Sequence, residues 1–263
     1  MNATSNNSVC FAISTSEQKK GRGTSGRVWI SSKGNSFLTV AIPMDSVPVP
    51  LTLLPLKVGS IIATQVKELL ISCGASDAAN NVSVKWPNDV LVDGGKIAGV
   101  LIESATDQTY QTWFMIGVGV NVAVAPAVDT AGENRGRRST CVKDHCLKCN
   151  SGGDSFENNV DKDHSFGDGM EEATALANNI ARDICSWIYY ADEISEQGSN
   201  NKDANAKILL NEWREWVDWE KELVVRDSTD NEIIVPLGVE PDGQLRVRGQ
   251  DGRERLLMVD YLL

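Results

Sequence analysis

Short apolar runs separated by turn residues fill most of the first half of the chain and predict a sheet. One longer stretch, residues 56–71, repeats apolar side chains at helical spacing, which predicts an amphipathic helix packed against that sheet. The first short run, which leads directly into a glycine-rich loop, is interpreted as a buried strand. The predicted strands are residues 9–15, 37–42, 82–86, 90–92 and 97–102, with further apolar runs between 113 and 124.

Two turns indicate how the middle strands connect. Pro87-Asn88-Asp89 lies between two short apolar runs, and Asp93-Gly94-Gly95 has the composition of a tight hairpin turn. Strands joined by such short turns run antiparallel. The pattern therefore predicts an α+β fold in which a mixed, mainly antiparallel sheet carries helices on one side.

A polar segment from about residue 126 to residue 170 interrupts this pattern. It is rich in Asp, Asn, Gly and Ser and has almost no large apolar side chains, so we expect a flexible insertion that buries little surface. Helical spacing then returns twice, and three tryptophans at every third position are expected to pack in the core or at a domain boundary. These later elements are residues 173–194, residues 204–219 and, within the second, Trp213, Trp216 and Trp219.

The last 45 residues contain four short strands separated by turns rich in Asp and Gly, which is typical of a small β-barrel. We therefore divide the chain into a larger domain, residues 1–218, and a smaller domain, residues 219–263. The strands of the smaller domain are predicted at 223–225, 233–235, 245–247 and 256–259.

Composition limits the classes of partner. The formal net charge is −11, which argues against a general nucleic-acid surface. No apolar stretch reaches the roughly 20 residues that span a membrane, so no membrane partner is expected. Six cysteines occur without a recognisable secretory signal. We therefore expect reduced thiols and a cytoplasmic protein, with the mitochondrion left open.

The segment from Gln18 to Trp29 combines three glycines with several cations. Glycine lets the backbone approach a ligand closely, while Arg22 and Arg27 offer forked donors to carboxylate or phosphate. No Gly-Lys-Ser/Thr sequence ends the segment, so it is not a Walker loop. It predicts either a loop that closes over an anionic ligand or an ordinary surface turn.

A second polar cluster follows within a few residues. Asn88 and Asp89 lie in the first turn, and Lys96 begins an apolar strand whose Gly99 lets a ligand lie against the backbone. A lysine there can stabilise negative charge as it develops in a transition state, although an exposed hairpin lysine is the simpler alternative. Asp89 is expected either to orient Lys96 or to help hold a magnesium-bound triphosphate.

Taken together, these motifs resemble those of biotin protein ligases, in the biotin/lipoate protein ligase superfamily. The resemblance spans roughly residues 9–125 and 171–263. It implies a catalytic core like that of class II aminoacyl-tRNA synthetases and an SH3-like barrel at the C-terminal end. The motifs, in the family's order, are the glycine-arginine loop ending at Trp29, Lys-Trp-Pro-Asn-Asp at 85–89, the strand at 96–103 and Gly-Val-Gly-Val-Asn at 117–121.

The resemblance also implies a reaction and its participants. ATP with Mg²⁺ would activate biotin as biotinyl-5′-AMP, and a lysine of a carboxylase biotin-carrier domain would then take the acyl group; the protein would be a monomer or a homodimer. The implied catalytic residues are Lys96, Arg22 and Arg27. The implied binding residues are Gln18, Gly21, Gly23 and Thr24 for biotin or the adenylate, Trp29 behind the adenine, Asn88 and Asn121 for the nucleotide, and Asp89, Gly99 and Gly117 around them.

Two departures from the family pattern bear on activity. Thr24 stands where many relatives have a further arginine, so we expect this chain to hold its adenylate less tightly. Relatives usually carry a Ser-Thr-Asn motif well before the glycine loop, whereas here 17 residues precede Gln18 and Thr4-Ser5-Asn6-Asn7 lies too close to it. Either the chain is an N-terminally shortened form or it holds the biotin ring differently.

Two other functions fit parts of the sequence. A lipoate ligase of the same superfamily is one, although its usual motifs match less well. A non-catalytic biotin-binding or nucleotide-binding homologue, which the missing upstream motif would suit, is the other.

Three cysteines in the polar segment have a spacing seen in metal sites. Cys141, Cys146 and Cys149, with His145 and His164 nearby, could ligate zinc or part of an iron–sulfur cluster. Incidental thiols in a flexible loop are the alternative, and we predict no metal site.

Overall fold

The computed structural model describes residues 9–128, 138–151, 166–196, 202–217, 219, 223–224 and 233–258. Two sheets organise these residues, and the larger one carries the helices. No helix in these ranges is long and apolar enough to cross a membrane. The Thr4-Ser5-Asn6-Asn7 segment lies outside the described residues.

The larger sheet has six strands in the order β1-β2-β6-β5-β4-β3, and every neighbouring pair is antiparallel. The prediction of an α+β fold with a mainly antiparallel sheet is confirmed. The hairpin turn at Asp93-Gly94 is confirmed as well, with φ of 49° and 72° at the two positions. The strands are β1 (Phe11–Thr15), β2 (Ser36–Pro43), β3 (Val82–Lys85), β4 (Asp89–Val92), β5 (Gly95–Thr106) and β6 (Thr112–Val120).

Helices cover one face of this sheet. The 19-residue first helix begins with a proline in its first turn, where the missing N–H is tolerated, and buries its apolar side toward the sheet. Its side chains share one buried cluster with those of β2, β5 and β6, and Trp213, 1% exposed, belongs to the same cluster. The helices are α1 (Leu54–Ser72), α2 (Ser76–Asn80), α3 (Val142–Ser151), α4 (Met170–Glu196) and α5 (Lys202–Arg214).

The first strand is not buried, contrary to the sequence prediction. Strand β1 is the end strand of the sheet, so it has a neighbour on one side only. Its register pairs Phe11 with Ala41 and Ile13 with Thr39, on the face away from the core residue Val40. Phe11 and Ile13 are therefore 56% and 74% exposed. An apolar run predicts a strand but does not say whether that strand lies at the edge of the sheet.

Part of the predicted insertion packs against the core. Residues 138–140 run beside Lys96, and α3 follows with Val142 and Cys146 buried in the main cluster. The expectation that this segment buries little surface is wrong for residues 138–146, because a few small apolar side chains fall on one helical face. Residues 129–137 and 152–165 of the insertion lie outside the described residues.

The expectation of reduced thiols is wrong for two of the six cysteines. Cys73, at the end of α1, forms a disulfide with Cys146 of α3. Burial raises the pKa of the Cys141 thiol to about 11, so that thiol stays protonated at neutral pH. A hydrogen bond from Cys10 lowers the pKa of the Cys185 thiol to about 7, which makes Cys185 the more reactive of the two.

A second, four-stranded sheet has the order β10-β9-β8-β7, again antiparallel. Ile234, Leu245 and Val247 form its small buried cluster, and Trp86 packs against it from the larger sheet. The indole N–H of Trp86 donates to the Gly243 carbonyl at 3.2 Å. The four strands are β7 (Leu223–Val224), β8 (Ile233–Val239), β9 (Leu245–Gly249) and β10 (Glu254–Leu257), close to the predicted positions.

Candidate functional site

A cavity of about 320 Å³ lies on the face of the six-stranded sheet that the helices leave open. The glycine-arginine loop covers it, and glycines of β5 and β6 form part of its wall. Two predicted site residues fall just outside this lining: Gly21, which belongs to the loop, and Asp89, which contacts Lys96. The predicted residues that line it are Gln18, Arg22, Gly23, Thr24, Arg27, Trp29, Asn88, Lys96, Gly99, Gly117 and Asn121.

The loop is a narrow backbone hairpin. The Gly23 N–H donates to the Arg27 carbonyl at 2.8 Å, and the Trp29 N–H donates to the Gly21 carbonyl at 3.0 Å. A β-carbon at Gly21 would lie 2.3 Å from the Trp29 carbonyl oxygen, so no larger residue fits there. The glycine at 21 therefore sets the path of the chain that brings Trp29 over the sheet.

Trp29 lies flat against two glycines of the sheet. A β-carbon at Gly119 would be 2.6 Å from Trp29 Cε2, and one at Gly99 would be 3.1 Å from Trp29 Cζ3. Only residues without a side chain leave room for the indole at that depth. Lys96 Nζ lies 5.3 Å from the centroid of the ring, within the range of a cation–π contact.

Lys96 is held from several directions. Its Nζ lies 2.6 Å from Asp89 Oδ1, and both side chains are mostly buried. Its backbone N–H donates to the Arg138 carbonyl at 2.8 Å, and its carbonyl accepts from the Thr140 N–H at 3.0 Å. Of the two roles expected for Asp89, the geometry favours orienting Lys96.

The two arginines of the loop have different partners. Arg22 Nη2 donates to Glu103 Oε2 of β5 at 2.6 Å, and this pair is largely exposed. Arg27 folds back on the loop, with Nη2 2.6 Å from Thr24 Oγ1 and Nε 3.0 Å from the Thr24 carbonyl. Exposed pairs of this kind are weak, so either guanidinium can exchange its partner for a ligand anion.

Two asparagines present fixed amides to the cavity. Asn88 Nδ2 donates to the Val100 carbonyl at 2.8 Å, and Asn121 Nδ2 donates to the Thr140 carbonyl at 3.1 Å. Within the described part of the chain, Asn121 Oδ1 and Trp29 Nε1 are buried without a hydrogen-bond partner. Buried polar atoms are normally paired, so this acceptor and this donor indicate a polar ligand between the loop and the sheet.

Comparison with known proteins agrees with this geometry. Residues 3–121 match the sequence model of the biotin/lipoate A/B protein ligase family. The biotin–[acetyl-CoA-carboxylase] ligase of Paracoccus denitrificans is 36% identical over 111 residues, which is 42% of this chain and 43% of that protein. The match covers less than half of the chain, and all four motifs lie within it. The resemblance inferred from the four motifs is thus confirmed.

Solved structures extend the similarity beyond the matched segment. The biotin protein ligase of Leishmania major, in complex with biotinyl-5-AMP, is 27% identical with a TM-score of 0.54, covering 95% of this chain and 89% of that chain. The Aquifex aeolicus biotin protein ligase, in complex with biotin and ATP, is 18% identical with a TM-score of 0.56, covering 95% and 86%. The second likeness concerns the fold alone. The segment aligned with the Paracoccus ligase spans less than half of that relative's length.

Several residues of the cavity were not predicted from the sequence. Gly99, Leu101 and Glu103 occupy every second position of β5 and therefore lie on one face of the sheet. This period of two could have placed Glu103 on the site face. Ser139 lines the cavity from a segment interpreted as an insertion, and nothing in its local sequence indicates that contact. The other cavity residues outside the prediction are Lys20, Val28, Ile30, Leu38, Thr39, Val100, Leu101, Val118, Gly119, Pro126 and Val128.

Among the described residues, no group of three His, Cys, Asp or Glu side chains could hold a metal ion, so the cysteines at 141 and 146 do not form part of such a group there. The disulfide removes Cys146 from the candidate ligands. The side chain of Cys149 and all of His164 lie outside the described residues.

We expect Gly119→Ala to disturb the site without disturbing the fold. Its β-carbon would meet Trp29 Cε2 at 2.6 Å, so the indole must move. A displacement of about 1 Å at a binding site can cost on the order of 10²-fold in turnover, measured as pyrophosphate release with ATP and biotin. Gly59→Ala, where a β-carbon meets nothing within 4 Å, is the matched control. Equal activity of the two variants would contradict the role given to Trp29.

Proposed function

We propose that the chain is an ATP-dependent ligase that converts biotin to biotinyl-5′-AMP and passes the biotinyl group to a lysine of a carboxylase biotin-carrier domain. The observation that carries this proposal is the position of Lys96, held by Asp89 at 2.6 Å under the Trp29 ring in the cavity that the glycine-arginine loop covers. The Leishmania major relative was solved with biotinyl-5-AMP, which supports the same ligand for this cavity.

In the first half-reaction, a carboxylate oxygen of biotin attacks the α-phosphorus of ATP, and pyrophosphate leaves. Two anions must approach each other, so the main requirement is positive charge placed in advance. Lys96 would contact both the carboxylate and the α-phosphate, while Arg22 and Arg27 would release their present partners to bind the remaining charge. Trp29 and the loop keep water from the mixed anhydride.

In the second half-reaction, the neutral amine of the acceptor lysine attacks the acyl carbon, AMP leaves with its bonding electrons, and the nitrogen releases a proton to solvent. No covalent bond to the protein is needed in either step. Catalysis then depends on positioning, because reactants held in the correct geometry react as one molecule.

Magnesium would enter with ATP. The described residues offer no cluster of three ligating side chains, and Asp89 is paired with Lys96. Mg²⁺ commonly keeps waters and substrate phosphates as most of its ligands, so the triphosphate would supply most of its coordination.

The finer description of the architecture is also a proposal. We assign residues 1–218 to a catalytic domain like that of class II aminoacyl-tRNA synthetases and residues 219–263 to an SH3-like domain. The six-stranded antiparallel sheet and the separate four-stranded sheet support this division.

The deciding experiment is pyrophosphate release and acyl transfer by the purified chain with ATP, Mg²⁺, a biotin-carrier domain and either biotin or lipoate. Biotin-dependent release with transfer is the expected result. Release that depends on lipoate would replace the proposal by a lipoate ligase. Binding of biotin or ATP without turnover would leave a non-catalytic homologue.

We expect Thr24→Arg to slow the escape of biotinyl-5′-AMP. Thr24 lines the cavity and bonds Arg27, and an added guanidinium would give the intermediate a charge-assisted hydrogen bond. Such a bond contributes about 1.5–3 kcal/mol, so release without an acceptor should slow by roughly ten- to a hundredfold. Thr24→Gln, which adds length without charge, is the control. A Thr24→Arg variant that releases the intermediate as fast as Thr24→Gln would argue against this account.

A further inference from the structure

A backbone strap, residues 138–140, runs beside Lys96 at the wall of the cavity and lies beyond the segment that matches the family. It bonds both the backbone N–H and the backbone carbonyl of Lys96. The Thr140 carbonyl also accepts from Asn121 Nδ2, and the Val142 N–H donates to the Asn121 carbonyl at 3.2 Å. The strap therefore contacts two proposed site residues through main-chain atoms.

The Thr140 carbonyl decides which way the Asn121 amide faces. A carbonyl accepts a hydrogen bond and cannot donate one, so it selects the amide nitrogen as its partner. Asn121 Oδ1 must then point the other way, where it is buried and unpartnered within the described structure. A buried acceptor selects a donor on the ligand, because an acceptor in its place leaves two unpaired groups.

His145 of α3 holds Thr140 in turn. Its Nε2 lies 2.8 Å from Thr140 Oγ1, and the histidine and the threonine are 3% and 6% exposed. Its Nδ1 lies 3.4 Å from Asp93 Oδ2, a carboxylate that also accepts from Asn81 through Oδ1. A carboxylate beside Nδ1 favours the proton on that nitrogen, which leaves Nε2 to accept the threonine hydroxyl proton.

We propose that His145 is a positioning residue for the nucleotide, which acts through Thr140 to fix the acceptor oxygen of Asn121. The inference rests on the proposed function, since it gives the cavity a nucleotide ligand. The amino group of a 6-aminopurine is the donor that this oxygen fits. A 6-oxopurine presents an acceptor at the same place and should be rejected.

Two substitutions of His145 distinguish the roles of its two ring nitrogens. Glutamine at this position places its amide near the position of Nε2, so His145→Gln keeps a partner for Thr140. Asparagine places its amide near Nδ1, so His145→Asn keeps the contact with Asp93 and loses the one with Thr140. Thr140→Val removes the same hydrogen bond from the other side and leaves the backbone carbonyl in place.

The test is calorimetric binding of ATP and of inosine triphosphate, each with Mg²⁺, to the full chain, with and without biotin. We expect His145→Asn and Thr140→Val to weaken ATP binding by about three- to tenfold, the range for one hydrogen bond, and to leave inosine triphosphate and biotin binding unchanged. His145→Gln should stay close to the unsubstituted chain, and the double variant His145→Asn, Thr140→Val should be no worse than either single one.

An unchanged ratio of ATP to inosine triphosphate affinity in Thr140→Val would overturn the inference. Equal damage by His145→Gln and His145→Asn would do the same, as would an equal loss of biotin affinity, because those results describe general loosening. If His145→Asn unfolds, the thermal melt shows it, and Thr140→Val carries the test. ATP binding without biotin-dependent turnover in the unsubstituted chain would remove the ligase proposal and leave this test in force.

Discussion

Lys96→Ala is expected to reduce biotin-dependent pyrophosphate release on the order of 10³-fold. Loss of one group that stabilises developing charge has an effect of about this size, and Lys96 is the best placed cation of the cavity, with Nζ fixed by Asp89 and the Trp29 ring. The measurement is the steady-state rate with ATP and biotin, together with the rate of transfer to a carrier domain.

Two controls test whether the loss of activity comes from unfolding or from the removal of any lysine. Removing the lysine leaves the mostly buried Asp89 carboxylate unpaired, which can destabilise the fold by itself. The double variant Asp89→Asn, Lys96→Ala relieves that charge and should remain inactive. Lys33→Ala, at an exposed lysine outside the cavity lining, should retain full activity. Recovery of activity in the double variant would move the catalytic role away from Lys96.

Reduction of the disulfide between Cys73 and Cys146 is expected to lower the free energy of unfolding substantially. The bond closes a loop with a sequence separation of 73 residues, for which the chain-entropy account gives about 4 kcal/mol in the free energy of unfolding. Urea denaturation of the oxidised and the reduced chain, followed by circular dichroism, measures the difference.

The variant Cys73→Ser, Cys146→Ser shows whether that loss belongs to this bond. It should be as weak as the reduced chain and should not respond to a reductant. Cys10→Ser, which removes a thiol outside the bond, should still respond fully. Coincident urea midpoints for the oxidised and reduced chains would mean that the bond adds no stability.

The sequence predicted the elements whose signal is local. Residues 56–71 predicted α1 because an amphipathic period needs only its own residues to be visible, and Asp93-Gly94 predicted its hairpin because few other residues accept positive φ. The four motifs were found for a similar reason, since glycines that admit a ligand and cations that bind it lie close together in the chain. The structure then brought most of the predicted site residues to one cavity.

The features that were missed depend on which parts of the chain meet in space. Exposure of Ile13 follows from the edge position of β1, and a strand cannot show its neighbours in its own sequence. The disulfide joins Cys73 to Cys146 across a separation that composition does not reveal. Thr140 and His145 belong to a segment that looked too polar to pack, yet a few small side chains suffice to bury it.

The strap beside Lys96 has a consequence for how this protein can diverge. Its bonds to Lys96 and Asn121 use the main-chain atoms of residues 138 and 140, which every amino acid except proline supplies in full. Side chains at Arg138 and Ser139 can therefore drift with little effect on these contacts, whereas deletion of a single residue would shift the whole register. Evolution should conserve the length of this stretch more strictly than the identities of residues 138 and 139.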